Sequence, residues 1–147
     1  GFYGILRPFD GVTPYRLEMQ ARPHFSAGGR EYRDLYSFWG DSLWKELTAD
    51  DPVVINLASK EYSLCVSKYT APPARLITCV FGEERNGKVL EKGTLCKMAR
   101  GEMVRYLAER RITEPEAVKD FDRLDYRYAP AYSDANTYVF LRTGRPA

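Results

Sequence analysis

Val53-Val54-Ile55-Asn56-Leu57-Ala58 is an almost unbroken apolar run, followed at once by the polar Ser59-Lys60-Glu61. A run of this length suits a buried strand covered on both faces. Upstream of it, Leu35, Phe38, Trp39, Leu43 and Leu47 recur at helical spacing. They predict a helix over 35–47, with Asp34 as its N-cap and Ala49-Asp50-Asp51-Pro52 as its end. Downstream, a short helix is expected around 60–66, then a linker at Ala71-Pro72-Pro73-Ala74.

Further outward, two strand-like stretches, 75–83 and 88–96, flank Asn86-Gly87, which is a strong short-range hairpin signal. Lys97–Ile112 reads as a helix, because Ala99, Met103, Tyr106 and Leu107 share one arc. Thr113-Glu114-Pro115-Glu116 has the form of a capping box with proline in the first turn. It predicts a second, short helix after a tight turn. Tyr126, Tyr128 and Tyr132 are expected in a loop, and 137–142 as a last strand. At the other end, strands are expected at 1–6 and near 16–20. Pro8 and Pro14 bracket a turn, and a loop covers 20–31. The fold class expected is α/β (an α+β mixed sheet) in a single domain over 1–147, with the 35–47 and 97–111 helices covering the sheet.

Composition agrees with a packed core. Of 147 residues, 44% are hydrophobic and 29% charged, with 11 Tyr, 7 Phe and 2 Trp, which argues against disorder. No apolar run approaches a membrane span, so no membrane partner is expected. The formal net charge of +2 is too small to announce a nucleic-acid binder, so local clustering has to carry that case. Three cysteines (Cys65, Cys79, Cys96), none in a C-x-x-C pair, speak against a disulfide framework or a zinc site. Cys79 and Cys96 are expected on the two arms of the hairpin, as small core residues. With a single histidine, His24, no metal site and no cofactor are expected.

Two sets of residues carry chemistry. Arg7, Asp10, Tyr15, Arg16 and Glu18 cluster near the start, and Arg16 and Glu18 fall on one side of the expected strand. Paired guanidiniums offer planar forks of donors to a phosphate or carboxylate, and the carboxylates can orient them or act as acid and base. The same groups also suit a structural salt-bridge network. Asn56 and Ser59 stand where a central strand ends, a place that often faces a ligand crevice, although Ser59 equally suits a helix cap. The second set, Lys97, Arg100, Arg105, Arg110 and Arg111, puts five cations within fifteen residues ahead of a helix N-terminus, the usual partners of nucleic-acid phosphates. Glu114, Glu116, Asp120 and Asp122 make the second helix acidic, and no glycine links the pair.

Gly1-Phe2-Tyr3-Gly4-Ile5-Leu6-Arg7-Pro8-Phe9-Asp10, with Pro14-Tyr15-Arg16-Leu17-Glu18-Met19, resembles the signature G-x-Y-G-x-L-R-P-x-D-x-x-x-P-Y-R-L-E-M of the peroxide-stress YaaA family. Three further blocks agree in order: Asp34 to Asp41, Val53 to Tyr62, and Asn86-Gly87-Lys88 with Lys97 to Gly101. The resemblance covers nearly the whole chain, and implies that it is the C-terminal part of the family's domain, either shortened at its N-terminus or one part of a longer polypeptide. The absent part would include an S-P-A-K-like segment. It further implies a mixed α/β fold with a helix-hairpin-helix element and a role in the peroxide response. That role is duplex-DNA binding and restraint of damage linked to intracellular iron, with no firmly assigned reaction. The compartment implied is the cytoplasm for a bacterial protein, or an organelle for a eukaryotic one. Three functional readings stay open: a DNA-binding stress protein; an enzyme or ligand-binding protein using the Arg/Asp/Glu pocket; and a subunit that needs a protein partner or the missing N-terminal segment.

Overall fold

The computed structural model describes residues 2–15, 17–19 and 21–143. Within it the chain divides into two compact units, 1–52 with 58–74, and 53–57 with 75–147.

In the first unit, β1 (Phe25–Ala27) and β2 (Arg30–Tyr32) form a small antiparallel hairpin inside the stretch expected to be loop. Its turn is Gly28-Gly29, both at positive φ, a conformation that glycine adopts without a Cβ penalty. The expected 35–47 helix is two helices, α1 (Leu35–Trp39) and α2 (Ser42–Leu47). Gly40 separates them at φ 51, its N–H bonded to the Tyr36 carbonyl. Asp34 does cap α1: its carboxylate accepts the Ser37 N–H at 2.7 Å, and the Ser37 hydroxyl answers the Asp34 N–H. α3 (Lys60–Ser67) completes the unit. Met19, Leu35, Leu43 and Cys65 form its core, with Phe25, Tyr36 and Trp39 packed against them. The strands expected at 1–6 and 16–20 are absent among the described residues: 2–6 and 17–19 are turns and irregular backbone. Gly4 at φ 71 takes the chain out of strand geometry and onto the Trp39 indole. Gly1, Arg16 and Gln20 lie outside the described residues.

The second unit is built on a mixed sheet, as expected. It comprises β3 (Val53–Asn56), β4 (Arg75–Arg85), β5 (Lys88–Leu90), β6 (Tyr126–Tyr128) and β7 (Thr137–Arg142). The order is β3-β4-β7-β6, with β5 paired to the far end of β4. β4 runs parallel to both β3 and β7, while β6 and β5 are antiparallel to their partners. The β4–β5 turn is Asn86-Gly87, both at positive φ, as a two-residue hairpin requires.

β5 ends at Leu90, and helix α4 (Gly93–Arg110) begins where the sequence pattern predicted strand. Cys96 therefore sits on α4 and not on a hairpin arm. The reason is packing. Cys96, Ala99, Met103 and Tyr106 form one helical stripe, buried against Ile77, Cys79 and Phe81 of β4 and Tyr138 and Phe140 of β7. The short helix after it is a 3₁₀ helix, Pro115–Asp120, with Glu114 at its N-cap and no side-chain cap bond, so the Thr113 capping box does not form. Burial of Val118 and Phe121 fixes this segment. Tyr126 and Tyr128, expected in a loop, are strand β6; the Tyr126 ring meets Phe81 edge-on at 5.5 Å. α4 covers the sheet as predicted, whereas α1 and α2 pack around the first unit's own core.

Candidate functional site

The first candidate set falls in the first unit, except for Asn56. Arg7 and Asp10 are brought together by a turn: the Arg7 N–H donates to Asp10 Oδ2 at 2.8 Å, and the Asp10 N–H to the Arg7 carbonyl at 3.1 Å. Both side chains are exposed. Tyr15 accepts the Phe2 N–H on its hydroxyl at 2.7 Å. Its ring joins those of Phe2 and Tyr3 in a triangle of edge contacts, with centroids 5.5–5.8 Å apart. A cavity of about 220 Å³ opens beside it, lined by Tyr3, Leu6, Val12, Thr13 and Tyr15 among others. Glu18 is exposed, and Arg16 is outside the described residues.

Asn56, at the end of β3 in the second unit, is buried and donates to Thr78 Oγ1 at 3.1 Å across the parallel pair. Ser59 occupies the N-cap position of α3, but its hydroxyl makes no cap bond. Glu61, two residues on, is the residue that organises this region. Its Oε1 accepts the Met19 N–H at 2.7 Å, and its carbonyl accepts the Tyr36 hydroxyl at 2.7 Å. The sequence places Glu61 in a helix's first turn. Its true partners are 42 and 25 residues away, and no local pattern announces them.

The second set lies along α4, and the structure sorts it. Arg105 pairs with Glu109 four residues on, at 2.6 Å. Arg123, from beyond the 3₁₀ helix, bridges Glu102 and Glu109, each at 2.7 Å. These contacts hold the Glu109 carboxyl below its usual range, Arg123 first and Arg105 second, and they raise the Arg105 guanidinium. Arg100 is largely buried beside Glu91, and its Nε has no hydrogen-bond partner among the described residues. Lys97, Arg110 and Arg111 are exposed and form no ion pair among the described residues. Arg110 lies 5.0 Å from the centre of the Tyr106 ring, with Arg123 5.2 Å from the same ring. Arg111 ends the helix in the left-handed conformation, its N–H bonded back to Leu107 and Ala108. Among the described residues no group of three His, Cys, Asp or Glu stands close enough to hold a metal ion. Nor, among them, is any helix long and apolar enough to cross a membrane.

The fold and these surfaces define a mixed α/β protein with a preorganised arginine cluster at one helix end and an aromatic face in the other unit. The chain belongs to the YaaA family of peroxide-stress proteins: the family model described as "Peroxide stress protein YaaA" matches residues 1–132. It is 54% identical over 142 residues to a UPF0246 protein of Lachnoclostridium phytofermentans, covering 97% of this chain and 54% of that protein. It is 51% identical to one of Desulfitobacterium hafniense (97% and 55% covered) and 46% to one of Ligilactobacillus salivarius (97% and 56%). The chain thus spans about half the length of the curated relatives it matches.

Proposed function

We propose that this chain is the part of a cytoplasmic peroxide-stress protein that grips the phosphate backbone of duplex DNA, limiting iron-linked damage to the DNA it covers. The observation that carries this reading is the end of α4. There, Arg105, Arg110 and Arg111 share the last turns of the helix, and the nearby glutamates are already engaged, Glu102 by Arg123 and Glu109 by both Arg105 and Arg123. Arg110 and Arg111 are left exposed, and the Tyr106 ring orders the Arg110 guanidinium before any partner arrives. Pre-ordered arginines lose less entropy on meeting a phosphate and can bind it in a bidentate way. The contact would be sequence-independent, since phosphates carry no base identity.

Fluorescence anisotropy with a labelled duplex, repeated across salt concentrations, tests this. Affinity should fall steeply with salt; Arg110→Ala and Arg111→Ala should each weaken binding and lower the log–log slope by about 1, and Arg110→Glu with Arg111→Glu should abolish binding. Absent binding, or binding indifferent to salt, refutes the reading.

A second reading rests on the Arg7–Asp10 turn. Asp10 pins the backbone of Arg7, whose side chain is exposed and which follows the cavity-lining Leu6 in the chain, an arrangement that suits a small anionic ligand. Titration calorimetry with inorganic phosphate, on the native chain and Arg7→Ala, separates it from the DNA reading.

A further inference from the structure

We propose that the apolar surface of residues 2–15 is an interface, and that its occupant is the part of the family polypeptide lying outside the stretch this chain shares with its relatives. Phe2 is 58% exposed, Leu6 49%, Val12 48%, Tyr15 48% and Phe9 101%. Scattered exposed apolar residues need no explanation, but seven large ones within fourteen residues (Tyr3 and Ile5 are the others), four of them lining one cavity, do.

The surface is held in shape. Gly4 packs so closely on Trp39 that a Cβ there would lie 2.7 Å from the indole. The Phe2, Tyr3 and Tyr15 rings brace one another, and the Tyr3 and Tyr15 hydroxyls are tied to backbone at Thr13 and Phe2. A preformed apolar surface with a side-chain-sized cavity is what a permanent packing partner requires. Arg7 and Asp10 are the only charges in 2–15, and Asp10 is engaged with the Arg7 backbone, so the surface suits an apolar partner better than a nucleic acid. Its source follows from length. The relatives devote only 54–56% of their chains to this region, so each has nearly as much polypeptide again to place. The inference stands independently of the DNA reading, which concerns the other unit.

The test fuses the unmatched part of the Lachnoclostridium phytofermentans relative to this chain, in that relative's own order. Hydroxyl-radical footprinting is then read by mass spectrometry at Phe2, Phe9 and Tyr15, with Tyr132 as an exposed control in the other unit. Oxidation at the three sites should drop about 5-fold or more in the fusion, as burial in a dry interface demands, with Tyr132 unchanged. Phe9→Asp should leave the melting temperature of the 147-residue chain unaltered and lower that of the fusion by several degrees, because it buries an unpaired charge. Equal oxidation in both proteins overturns the proposal. So does protection in the 147-residue chain that rises with its concentration, which would make a second copy the occupant.

Discussion

A peroxide-stress protein invites the idea that one of its own thiols meets the peroxide, and the structure argues against this quantitatively. All three cysteines are free and buried. Burial pushes the Cys79 thiol up to about 12, from an ordinary value of 9.0, and raises Cys65 as well, again chiefly through desolvation. The thiolate is the species that reacts with peroxide and disulfides. At pH 8 a thiol of ordinary acidity is about 10% ionised, whereas one at about 12 is ionised at about 0.01%, a suppression of about 1000-fold before access is counted. The assay is the reaction of the native protein with a chromogenic disulfide and, separately, with hydrogen peroxide followed by intact-mass analysis. The expected result is no fast-reacting thiol in the native protein and three in denaturant. A native thiol reacting within tenfold of free cysteine would refute the reasoning. Linkage supplies a second check. The folded-state value exceeds the unfolded one, so the buried thiol's contribution is complete below pH 9 and is lost as pH rises towards 12. At about 1.4 kcal/mol per unit the loss reaches about 4 kcal/mol, so alkaline melts should fall steeply in that window, and less steeply for Cys79→Ala than for the native chain.

Three further outcomes are expected. Asp34→Ala should cost about 1 kcal/mol in thermal melts, since it frees the Ser37 N–H of the α1 cap. That N–H is also the main reason the Asp34 carboxyl sits below its usual 3.8, so the cap's contribution persists above that pH and fades as pH falls further, narrowing the gap between native and variant. Gly82→Ala would place a Cβ 2.6 Å from Val89 Cγ1 and 2.9 Å from the Leu90 carbonyl oxygen; denaturant unfolding should show a loss of about 1–3 kcal/mol, eased by Val89→Ala. Glu61→Ala should speed exchange of the Met19 amide, read by NMR, and cost about 1.5–3 kcal/mol, whereas unchanged exchange would show that the bond does not hold the 17–19 segment.

The elements legible in the sequence are those whose signal is local. The last strand, Thr137–Arg142, matches its predicted range, and the Asn86-Gly87 turn and the Asp34 cap form as read. In each case the decisive chemistry lies within a few residues: alternation, a positive-φ pair, a carboxylate three residues from an orphan N–H. The α4 start misled because its N-cap position is Lys92, which makes no side-chain cap bond, and Cys96 suits a strand as well as a helix. Only its burial against Ile77 and Phe81 decides for helix. The five cations at 97–111 were legible as a group. Which of them remain exposed was not, because Glu91 and Arg123 come from other elements.

The sequence alone thus determined the family, the mixed α/β class and the residues with chemical potential, since motif spacing and hydrophobic period are written along the chain. Tertiary structure alone decided which charges are already paired, that Cys65 is buried, that Glu61 holds the Met19 backbone, and that the aromatic face of 2–15 stands exposed. These depend on which distant segments meet, and that is settled by packing between elements and not by the pattern within any one of them.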